Sequence, residues 1–487
     1  MAQADVVRCK VFIAGTWVDS DASETSPVFN PSDGAQIAAT PMCGAAEVEK
    51  AIRAAEAAFP EWSETPSVER ARLLFRFKAL MDDHKEELAQ LITREHGKTL
   101  EESRGSVQRG IEVVEFACGA PALLMGEAQE NVANNVDYES HRHPLGVCAS
   151  ITPFNFPLMV PLWSLPVALV CGNTYVLKPS EKVPLSAIRM VELLEEAGLP
   201  PGVLNLVHGG KEAVDTLLTN PAVKAVTFVG STPVAKYIYE TATKHGKRVQ
   251  SSGGAKNAMV VMPDADIDVA VDGVMGSAYG CAGERCMAGS VLICPEDAGE
   301  RFLPAFLAAA SSMRVGPTDR DPEAQMGPLV TGDHLQRVTA CVEKGVKEGA
   351  TLALDGRSVQ VDAAPNGFYL GPTLFDHVRP EMSIATDEIF GPVLSTIRTG
   401  DLEEALAFCN RSEFGNAAVM FTQSGRSARE FRHRVNAGMV GINIGVPAPT
   451  ALFPFAGWNN SFFGDLHVQG QEGVAFFTRQ KVTITRW

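Results

Sequence analysis

A cysteine beside an arginine stands in a glycine-rich turn at residues 280–288. The segment reads GCAGERCMA and places Cys286 directly after Arg285. A neighbouring cation favours the thiolate, which is the nucleophilic form of a cysteine. Cysteine is also a common small core residue. The turn alone therefore leaves Cys286 open as either a nucleophile or a packing residue.

An asparagine in the segment TPFNFP at residues 152–157 is a candidate hydrogen-bond donor. When sulfur attacks a carbonyl carbon, the resulting oxyanion needs donors placed where its charge develops, and Asn155 carries a suitable amide. An asparagine that precedes a helix commonly caps it. Helix capping is the alternative role for Asn155.

Three further segments carry polar groups where ligands commonly bind. Lys178 ends a predicted strand, the position at which an open α/β sheet binds its ligand. Residues 228–231, FVGS, end a strand and lead into a helix whose free N–H groups suit a phosphate, although this is not a GxGxxG motif. A solvated charge in a strand-to-helix loop is the alternative role for Lys178 and Glu181. The third segment, EIFGP at residues 388–392, contains Glu388 and Phe390. Its alternative interpretation is a loop carboxylate beside a core aromatic residue.

Together these blocks resemble the aldehyde dehydrogenase superfamily in order and spacing, and they cover most of the chain. The resemblance implies that Cys286 is the nucleophile and that Asn155 and the N–H of Cys286 stabilise the oxyanion. It also implies an NAD site formed by Phe154, Lys178, Glu181, Gly230, Ser231, Glu388 and Phe390. A carboxylate at the ribose, here Glu181, would repel the 2′-phosphate of NADP. The family often has a glycine where this chain has Ala235, which weakens the expected phosphate contact.

The position of the family's general base carries no carboxylate here. Hydrolytic members have a glutamate in a Glu-Leu-Gly-Gly-Lys block, and the corresponding residues 251–257 read SSGGAKN. The family spacing from Cys286 leads to Ser252, and a shift of one residue leads to Ser251. Serine does not deprotonate water at neutral pH. We therefore expect the acyl group on Cys286 to pass to the thiolate of coenzyme A.

This departure, with residues 285–288, 441–444 and 461–466, resembles the methylmalonate-semialdehyde dehydrogenase branch, which is CoA-acylating. The branch oxidises malonate and methylmalonate semialdehydes to acetyl-CoA and propanoyl-CoA with loss of the substrate carboxylate. That carboxylate needs arginines, and Arg109 and Arg285 are the candidates. An ordinary surface arginine is the alternative for Arg109. Preference for malonate over methylmalonate semialdehyde leaves no motif, because one methyl group is worth only about 1–3 kcal/mol.

The sequence leaves two rival functions open. A hydrolytic semialdehyde dehydrogenase would release a free acid and would need a base from elsewhere, for example Glu388 moving inward. A non-catalytic protein can retain an enzyme scaffold, but the joint presence of Cys286, Asn155, Lys178 and Glu388 argues against this.

The elements that must position these residues alternate between helix and strand. Residues 47–97 have helical periodicity. Short β-rich runs at 147–151, 175–177, 203–207 and 226–229 alternate with helical stretches, including 186–197 and 212–218, which predicts a doubly wound parallel sheet. A second α/β series runs from 258 to about 435. The fold class predicted is α/β and aldehyde dehydrogenase-like, with two Rossmann-like doubly wound domains and a small β oligomerisation element.

The expected domain ranges follow from this pattern. Residues 1–122 and 144–254 form the NAD-binding domain, 255–435 the catalytic domain, and 436–469 a return segment that lines the active site. Residues 123–143 and 470–487 form the oligomerisation strands. The alternation in 474–487 predicts a strand, which pairs either with a neighbouring subunit or with an edge of its own chain. By resemblance the assembly is a homodimer or homotetramer.

The composition narrows the class of protein. A length of 487 residues with 45% hydrophobic residues suits a multidomain enzyme, and a net charge of −16 argues against nucleic acid and membrane partners. Ten cysteines without a CxxC pair indicate neither a metal site nor a disulfide framework. The N-terminus lacks the apolar run of a signal peptide, so a cytoplasmic location is expected. The apolar run 157–170 contains Pro161 and Pro166 and predicts a buried helix beside a pocket.

Overall fold

A computed structural model describes residues 6–487 of this chain. The elements up to residue 123 are β1 (Val7–Arg8), β2 (Val11–Ile13), β3 (Thr16–Val18), β4 (Thr25–Asn30), β5 (Ala35–Pro41), α1 (Ala45–Glu64), α2 (Ser67–Asp83), α3 (Lys85–His96), α4 (Leu100–Cys118) and α5 (Ala120–Leu123). Residues 128–252 form β6 (Ala128–Ala133), β7 (Val136–Pro144), β8 (Val147–Ile151), α6 (Met159–Val170), β9 (Thr174–Lys178), α7 (Leu185–Glu196), β10 (Leu204–Leu206), α8 (Lys211–Thr219), β11 (Val223–Val229), α9 (Thr232–Lys244) and β12 (Arg248–Ser252).

The second half of the chain contains a further series of helices and strands. Residues 257–442 form β13 (Asn257–Val261), α10 (Ile267–Tyr279), β14 (Gly289–Pro295), α11 (Ala298–Ser312), α12 (Gly332–Lys347), β15 (Thr351–Leu354), β16 (Thr373–Asp376), α13 (Ser383–Thr386), β17 (Val393–Thr399), α14 (Leu402–Arg411), β18 (Phe414–Gly415), β19 (Ala417–Phe421), α15 (Gly425–Arg434) and β20 (Met439–Ile442). The last elements are β21 (Trp458–Asn459), β22 (Phe462–Gly464), α16 (Gly470–Phe476) and β23 (Thr478–Arg486). Short 3-10 turns occupy Gly280–Gly283 and Gly356–Ser358.

The first large sheet has eight strands in the order β22-β12-β11-β8-β9-β10-β2-β3. Its five central strands, from β12 to β10, are parallel. Successive residues of β9 pack on opposite faces: Tyr175 and Leu177 join one apolar cluster, and Val176 joins another with α1 and α8. Helices therefore cover both faces, which explains why these strands are apolar throughout.

The second large sheet has seven strands in the order β15-β16-β17-β14-β13-β19-β20. All its pairs are parallel except that between β15 and β16. The predicted α/β class with two doubly wound sheets is thus confirmed. Strand β20 extends this sheet past residue 435, and the domain ranges given above stay a prediction.

The apolar run after Pro157 forms helix α6, in which all twelve residues are buried. The expectation of a buried helix beside a pocket is confirmed, because Met159 and Trp163 line a cavity. Helix α4 packs against it, and at Gly110 an added Cβ would lie 2.7 Å from a methyl carbon of Leu162. None of the helices described between residues 6 and 487 is long and apolar enough to cross a lipid bilayer.

The C-terminal strand pairs within its own chain. β23 lies antiparallel to β7, from Thr478 opposite Pro144 to Arg486 opposite Val136, in the sheet β23-β7-β6. The prediction that this strand begins at residue 474 was wrong, because residues 470–476 form α16, which buries Val474 and Phe476. Within residues 6–487, β23 has a strand on one side only, and its Val482 and Ile484 side chains are exposed. Smaller sheets are formed by β1-β5-β4 and by β18-β21.

Candidate active site

The turn that carries Cys286 has a constrained backbone. Cys281, Ala282 and Gly283 all have positive φ angles, of 49°, 51° and 72°. A Cβ at Gly283 would lie 2.1 Å from the carbonyl oxygen of Gly391, so only glycine fits there. This sharp left-handed turn directs the chain from α10 into the segment that presents the thiol.

Two asparagine side chains hold the main-chain oxygen of Cys286. Asn257 donates to it at 2.9 Å and Asn416 at 2.8 Å. Asn257 is the last residue of the segment SSGGAKN, which stands where hydrolytic members of the family carry their general base. Nothing in the sequence near Asn416 indicated a role. Both residues were missed by sequence reasoning as parts of the site.

Two cavities meet at Cys286. The large cavity has a volume of about 900 Å³ and the small cavity about 400 Å³, and Cys286 lines both. The large cavity is lined by all seven residues predicted to bind the cofactor and by Asn155. The small cavity is lined by Arg109 and Arg285, the predicted carboxylate ligands, together with Phe156 and α6 residues. Every predicted site residue thus lines the large cavity or the small cavity, and Cys286 lines both.

Asn155 is buried, with 4% of its surface exposed. It does not cap the following helix, because α6 starts after Leu158 and has no side-chain cap. The capping alternative is therefore not observed.

The large cavity lies at the carboxyl ends of β8, β9 and β11, as expected for a doubly wound sheet. Lys178 at the end of β9 donates to the carbonyl of Pro179 at 3.0 Å and lies 3.5 Å from a carboxylate oxygen of Glu181. Burial lowers the pKa of Lys178, and Glu181 opposes this shift. The Lys178 ammonium and the Glu181 carboxylate lie close enough together to bind the two neighbouring hydroxyl groups of one ribose.

Helix α9 begins at the same cavity without a side-chain cap, which leaves its first N–H groups available to a phosphate. A Cβ at Gly230 would lie 2.4 Å from the Phe228 ring. Ala235 is fully buried, and its carbonyl accepts a 2.8 Å hydrogen bond from Ser251. The residues present therefore fit a dinucleotide with its diphosphate at α9.

The Glu388–Phe390 loop is held by the segment before β13 and by helix α12. Glu388 accepts a hydrogen bond from the N–H of Ala255 at 2.9 Å. Burial lowers the pKa of His334 to about 4, and the neutral ring donates to the carbonyl of Phe390 at 2.7 Å. One turn further, Arg337 donates to the carbonyl of Ile389. These contacts hold Phe390 in a left-handed conformation, with φ of 59°. His334 and Arg337 were not found from the sequence.

Arg285 is bound on three sides within the small cavity. It donates to Glu102 at 3.0 Å, to the carbonyl of Gly276 at 3.0 Å and to the sulfur of Cys281 at 3.2 Å. Arg109 donates to the carbonyl of Pro449. Arg109 and Arg285 therefore line the same cavity as Cys286, as predicted. Both guanidinium groups already form hydrogen bonds within the protein. Glu102 was missed by the sequence analysis.

The electrostatics of the thiol are dominated by burial. Burial, and to a smaller extent the charge of Glu388, raises the pKa of Cys286 to about 12. Nearby N–H groups and Arg285 act in the opposite direction. The predicted influence of Arg285 has the expected sign, but it is smaller than the effect of burial. In the ligand-free protein the thiol is protonated at pH 7.

Ser251 and Ser252, which the family resemblance predicts at the position of the general base, lie on strand β12. Both are buried, and Ser251 donates to the carbonyl of Ala235. The carboxylates that line the large cavity are Glu181 and Glu388. Among residues 6–487 no group of three or more His, Cys, Asp or Glu side chains is arranged to hold a metal ion.

Comparisons with known proteins agree with this geometry. The sequence profile of the aldehyde dehydrogenase family matches residues 17–483. A malonate-semialdehyde dehydrogenase from Halalkalibacterium halodurans is 50% identical over 480 residues, which cover 99% of this chain and 98% of the relative. A malonate-semialdehyde dehydrogenase from Oceanobacillus iheyensis is 49% identical over the full length of both chains.

Solved structures give the same result. The crystal structure of a methylmalonate-semialdehyde dehydrogenase from Oceanimonas doudoroffii is 47% identical, with a TM-score of 0.97 and 99% coverage of both chains. A Sinorhizobium meliloti protein assigned as a methylmalonate-semialdehyde dehydrogenase, crystallised with NAD, is 44% identical, with a TM-score of 0.98 and coverage of 100% of this chain and 99% of that protein. The chain is therefore an enzyme that belongs to the aldehyde dehydrogenase family.

Proposed function

We propose that this enzyme oxidises malonate or methylmalonate semialdehyde with NAD and transfers the remaining acyl group to coenzyme A, forming acetyl-CoA or propanoyl-CoA. The supporting observation is that Cys286 lies where a cavity with two arginines meets a larger cavity suited to a dinucleotide. The names of the malonate- and methylmalonate-semialdehyde dehydrogenases that resemble the chain support the substrate class.

Cys286 is the proposed nucleophile. The thiol loses its proton to solvent, its sulfur forms a bond to the aldehyde carbon, and the carbonyl oxygen becomes an oxyanion. The amide of Asn155 and the N–H of Cys286 stabilise this charge, each donor contributing about 3 kcal/mol. Collapse of the adduct expels a hydride and leaves a thioester on Cys286.

Lys178 and Glu181 would hold the adenosine ribose, the N-terminus of α9 the diphosphate, and Glu388 and Phe390 the nicotinamide ribose and ring. Bound NAD supplies the acceptor for the hydride. Glu181 favours NAD over NADP, because its carboxylate would repel a 2′-phosphate.

Arg109 and Arg285 are proposed to bind the substrate carboxylate. After oxidation this carboxylate lies β to the thioester carbonyl. Cleavage of its bond to the α-carbon releases carbon dioxide, and the electron pair is delocalised as an enolate that the same two donors stabilise. Protonation of the α-carbon completes the acyl group.

Coenzyme A is the proposed acceptor because the base position carries serine. Its thiolate adds to the thioester carbonyl, and the Cys286 thiolate leaves. Glu388 is the alternative base for hydrolysis, but the N–H of Ala255 already holds its carboxylate. The exposed Val482 and Ile484 of the half-paired strand β23 support a homodimer or homotetramer.

A burst experiment tests the proposal. Enzyme is mixed with NAD and malonate semialdehyde, and NADH formation is followed by absorbance. We expect one equivalent of NADH per active site and continued turnover only after coenzyme A is added, with acetyl-CoA identified by mass spectrometry. Equal steady rates without coenzyme A, with a free acid as product, would establish the hydrolytic alternative instead.

A further inference from the structure

Lys98 is a buried lysine that the chemistry described above does not use. Helix α3 ends at Gly97, whose φ of 93° turns the chain inward, and Lys98 follows with only 1% of its surface exposed. Its ammonium donates to the main-chain oxygen of Asn155 at 2.6 Å. The same ammonium lies 3.9 Å from the centre of the Phe156 ring.

These two contacts fall on consecutive residues that face different cavities. Asn155 lines the large cavity and Phe156 lines the small cavity. The Lys98 ammonium therefore holds residues 155–156, which lie between the two cavities next to Cys286. The contact with Asn155 is made through its backbone, which leaves the side-chain amide free to face the reacting carbon.

The environment of Lys98 is costly for a residue with only a structural role. Within residues 6–487 no carboxylate lies within 4 Å of its ammonium, and its hydrogen-bond acceptor is an uncharged carbonyl. Burial has the largest effect on the pKa of Lys98 and lowers it, whereas the charges of Glu102 and Glu284 raise it. Burying a charge without a carboxylate partner is unfavourable, and an apolar side chain of similar length would fill the same space without that cost.

We propose that Lys98 is a positioning residue for oxyanion stabilisation. It fixes the backbone of Asn155 so that the amide points at the developing charge, and its contact with the Phe156 ring holds the segment between the two cavities in place. This inference rests on the proposed role of Asn155 in the oxidation.

The test compares Lys98→Met with a matched control, Lys247→Met. Lys247 is also a buried lysine and donates to a main-chain carbonyl, that of Val223, at 2.8 Å, but it lines neither cavity. We expect Lys98→Met to slow the NADH burst about 10- to 100-fold. The KM for aldehyde, NAD binding and the pH profile of iodoacetamide alkylation at Cys286 should stay within about twofold of the wild type, because Lys98 contacts neither ligand nor sulfur. Lys98→Gln, which keeps an N–H donor for Asn155, should recover part of the rate.

Three results would overturn the inference. The first is a wild-type burst rate in Lys98→Met. The second is a parallel loss of burst, NAD binding and alkylation, which indicates general disorder of the site. The third is failure of both Lys98 variants to fold, which makes the residue structural. If the wild-type enzyme itself gives no burst, the proposed function fails, and that outcome is distinguishable because it needs no variant.

Discussion

Asn416 donates a hydrogen bond at 2.8 Å to the main-chain oxygen of Cys286, a residue 130 positions away in the sequence. Asn257 donates to the same oxygen, so two amides occupy both acceptor positions of one carbonyl. Asn416 precedes β19 and Asn257 begins β13, which are neighbouring strands of the second sheet. The second sheet therefore fixes the main chain of the nucleophile, in addition to the left-handed turn that precedes it.

Asn416→Ala should slow acylation without abolishing it. The substitution frees one side of the Cys286 carbonyl, and we expect a burst rate about tenfold lower and a loss of about 1–3 kcal/mol in the free energy of unfolding. Because Asn257 shares the acceptor, the effects of the two alanine variants should not add in a double-mutant cycle. Asn410→Ala is the control, since Asn410 also donates to a carbonyl, that of Arg434, on the exposed surface. An unchanged burst rate in Asn416→Ala would show that the carbonyl needs no side-chain support.

Cys286→Ala should abolish NADH formation. Without sulfur no covalent adduct forms, and the rate should fall by several orders of magnitude. The variant should still bind NAD, as measured by fluorescence quenching, because the large cavity is otherwise intact. Cys341→Ser, at a partly exposed cysteine on α12, should retain full activity. Turnover by Cys286→Ala would remove the basis of the proposed chemistry.

The thiol should react slowly with iodoacetamide at pH 7 in the absence of ligands. Burial and the charge of Glu388 raise the pKa of Cys286 to about 12, so the alkylation rate should still be rising with pH above 10. Glu388→Gln removes one of the two effects that raise the pKa of Cys286, and we expect the alkylation profile of this variant to move to lower pH. Glu181→Gln should leave the profile in place, because Glu181 pairs with Lys178 and is not among the groups that shift the pKa of Cys286. A plateau near pH 8 in the wild type would contradict the dominance of burial.

The parts of the fold predicted from the sequence are those governed by local patterns. The apolar runs at 147–151 and 175–177 identified β8 and β9, and Lys178 was placed at a strand end because that end carries the ligand in such sheets. The C-terminal strand was extended too far, because Val474 and Phe477 are three residues apart and read equally well as the buried face of a helical turn. Short apolar runs do not distinguish the two structures.

The site residues that were missed act through long-range contacts. His334 and Arg337 are ordinary polar residues of an amphipathic helix, and only the tertiary structure brings them to the carbonyls of Phe390 and Ile389. Glu102 is recognisable as part of a capping box with Thr99, but its contact with Arg285 spans 183 positions. Local spacing carries no information about such contacts.

Glu284→Gln should alter the pH dependence of stability. Burial raises the pKa of Glu284 to about 8 from an ordinary value of 4.5, so the folded protein keeps this proton while the unfolded chain releases it. The corresponding stability is fully present below pH 4.5, decreases as the pH rises towards 8, and is constant above that. Relative to the wild type, Glu284→Gln should therefore gain stability across this interval, on the order of a few kcal/mol at pH 8.

Urea unfolding of the two proteins at several pH values measures this difference. Glu102→Gln serves as the comparison for a glutamate that has ion-pair and hydrogen-bond partners. A stability difference between Glu284→Gln and the wild type that does not change with pH would show that Glu284 is ionised in the folded protein.

Arg109→Leu should lose selectivity for carboxylated aldehydes. A charge-assisted hydrogen bond contributes about 1.5–3 kcal/mol, which corresponds to about 10- to 150-fold in kcat/KM for malonate semialdehyde. Propanal has no carboxylate, so its kcat/KM should change by no more than about threefold. Arg104→Leu is the control, because Arg104 lies on the same helix and pairs with Glu86 on the surface. If Arg109→Leu lowered kcat/KM equally for malonate semialdehyde and propanal, Arg109 would serve only to hold the segment around Pro449, to which it donates its hydrogen bond.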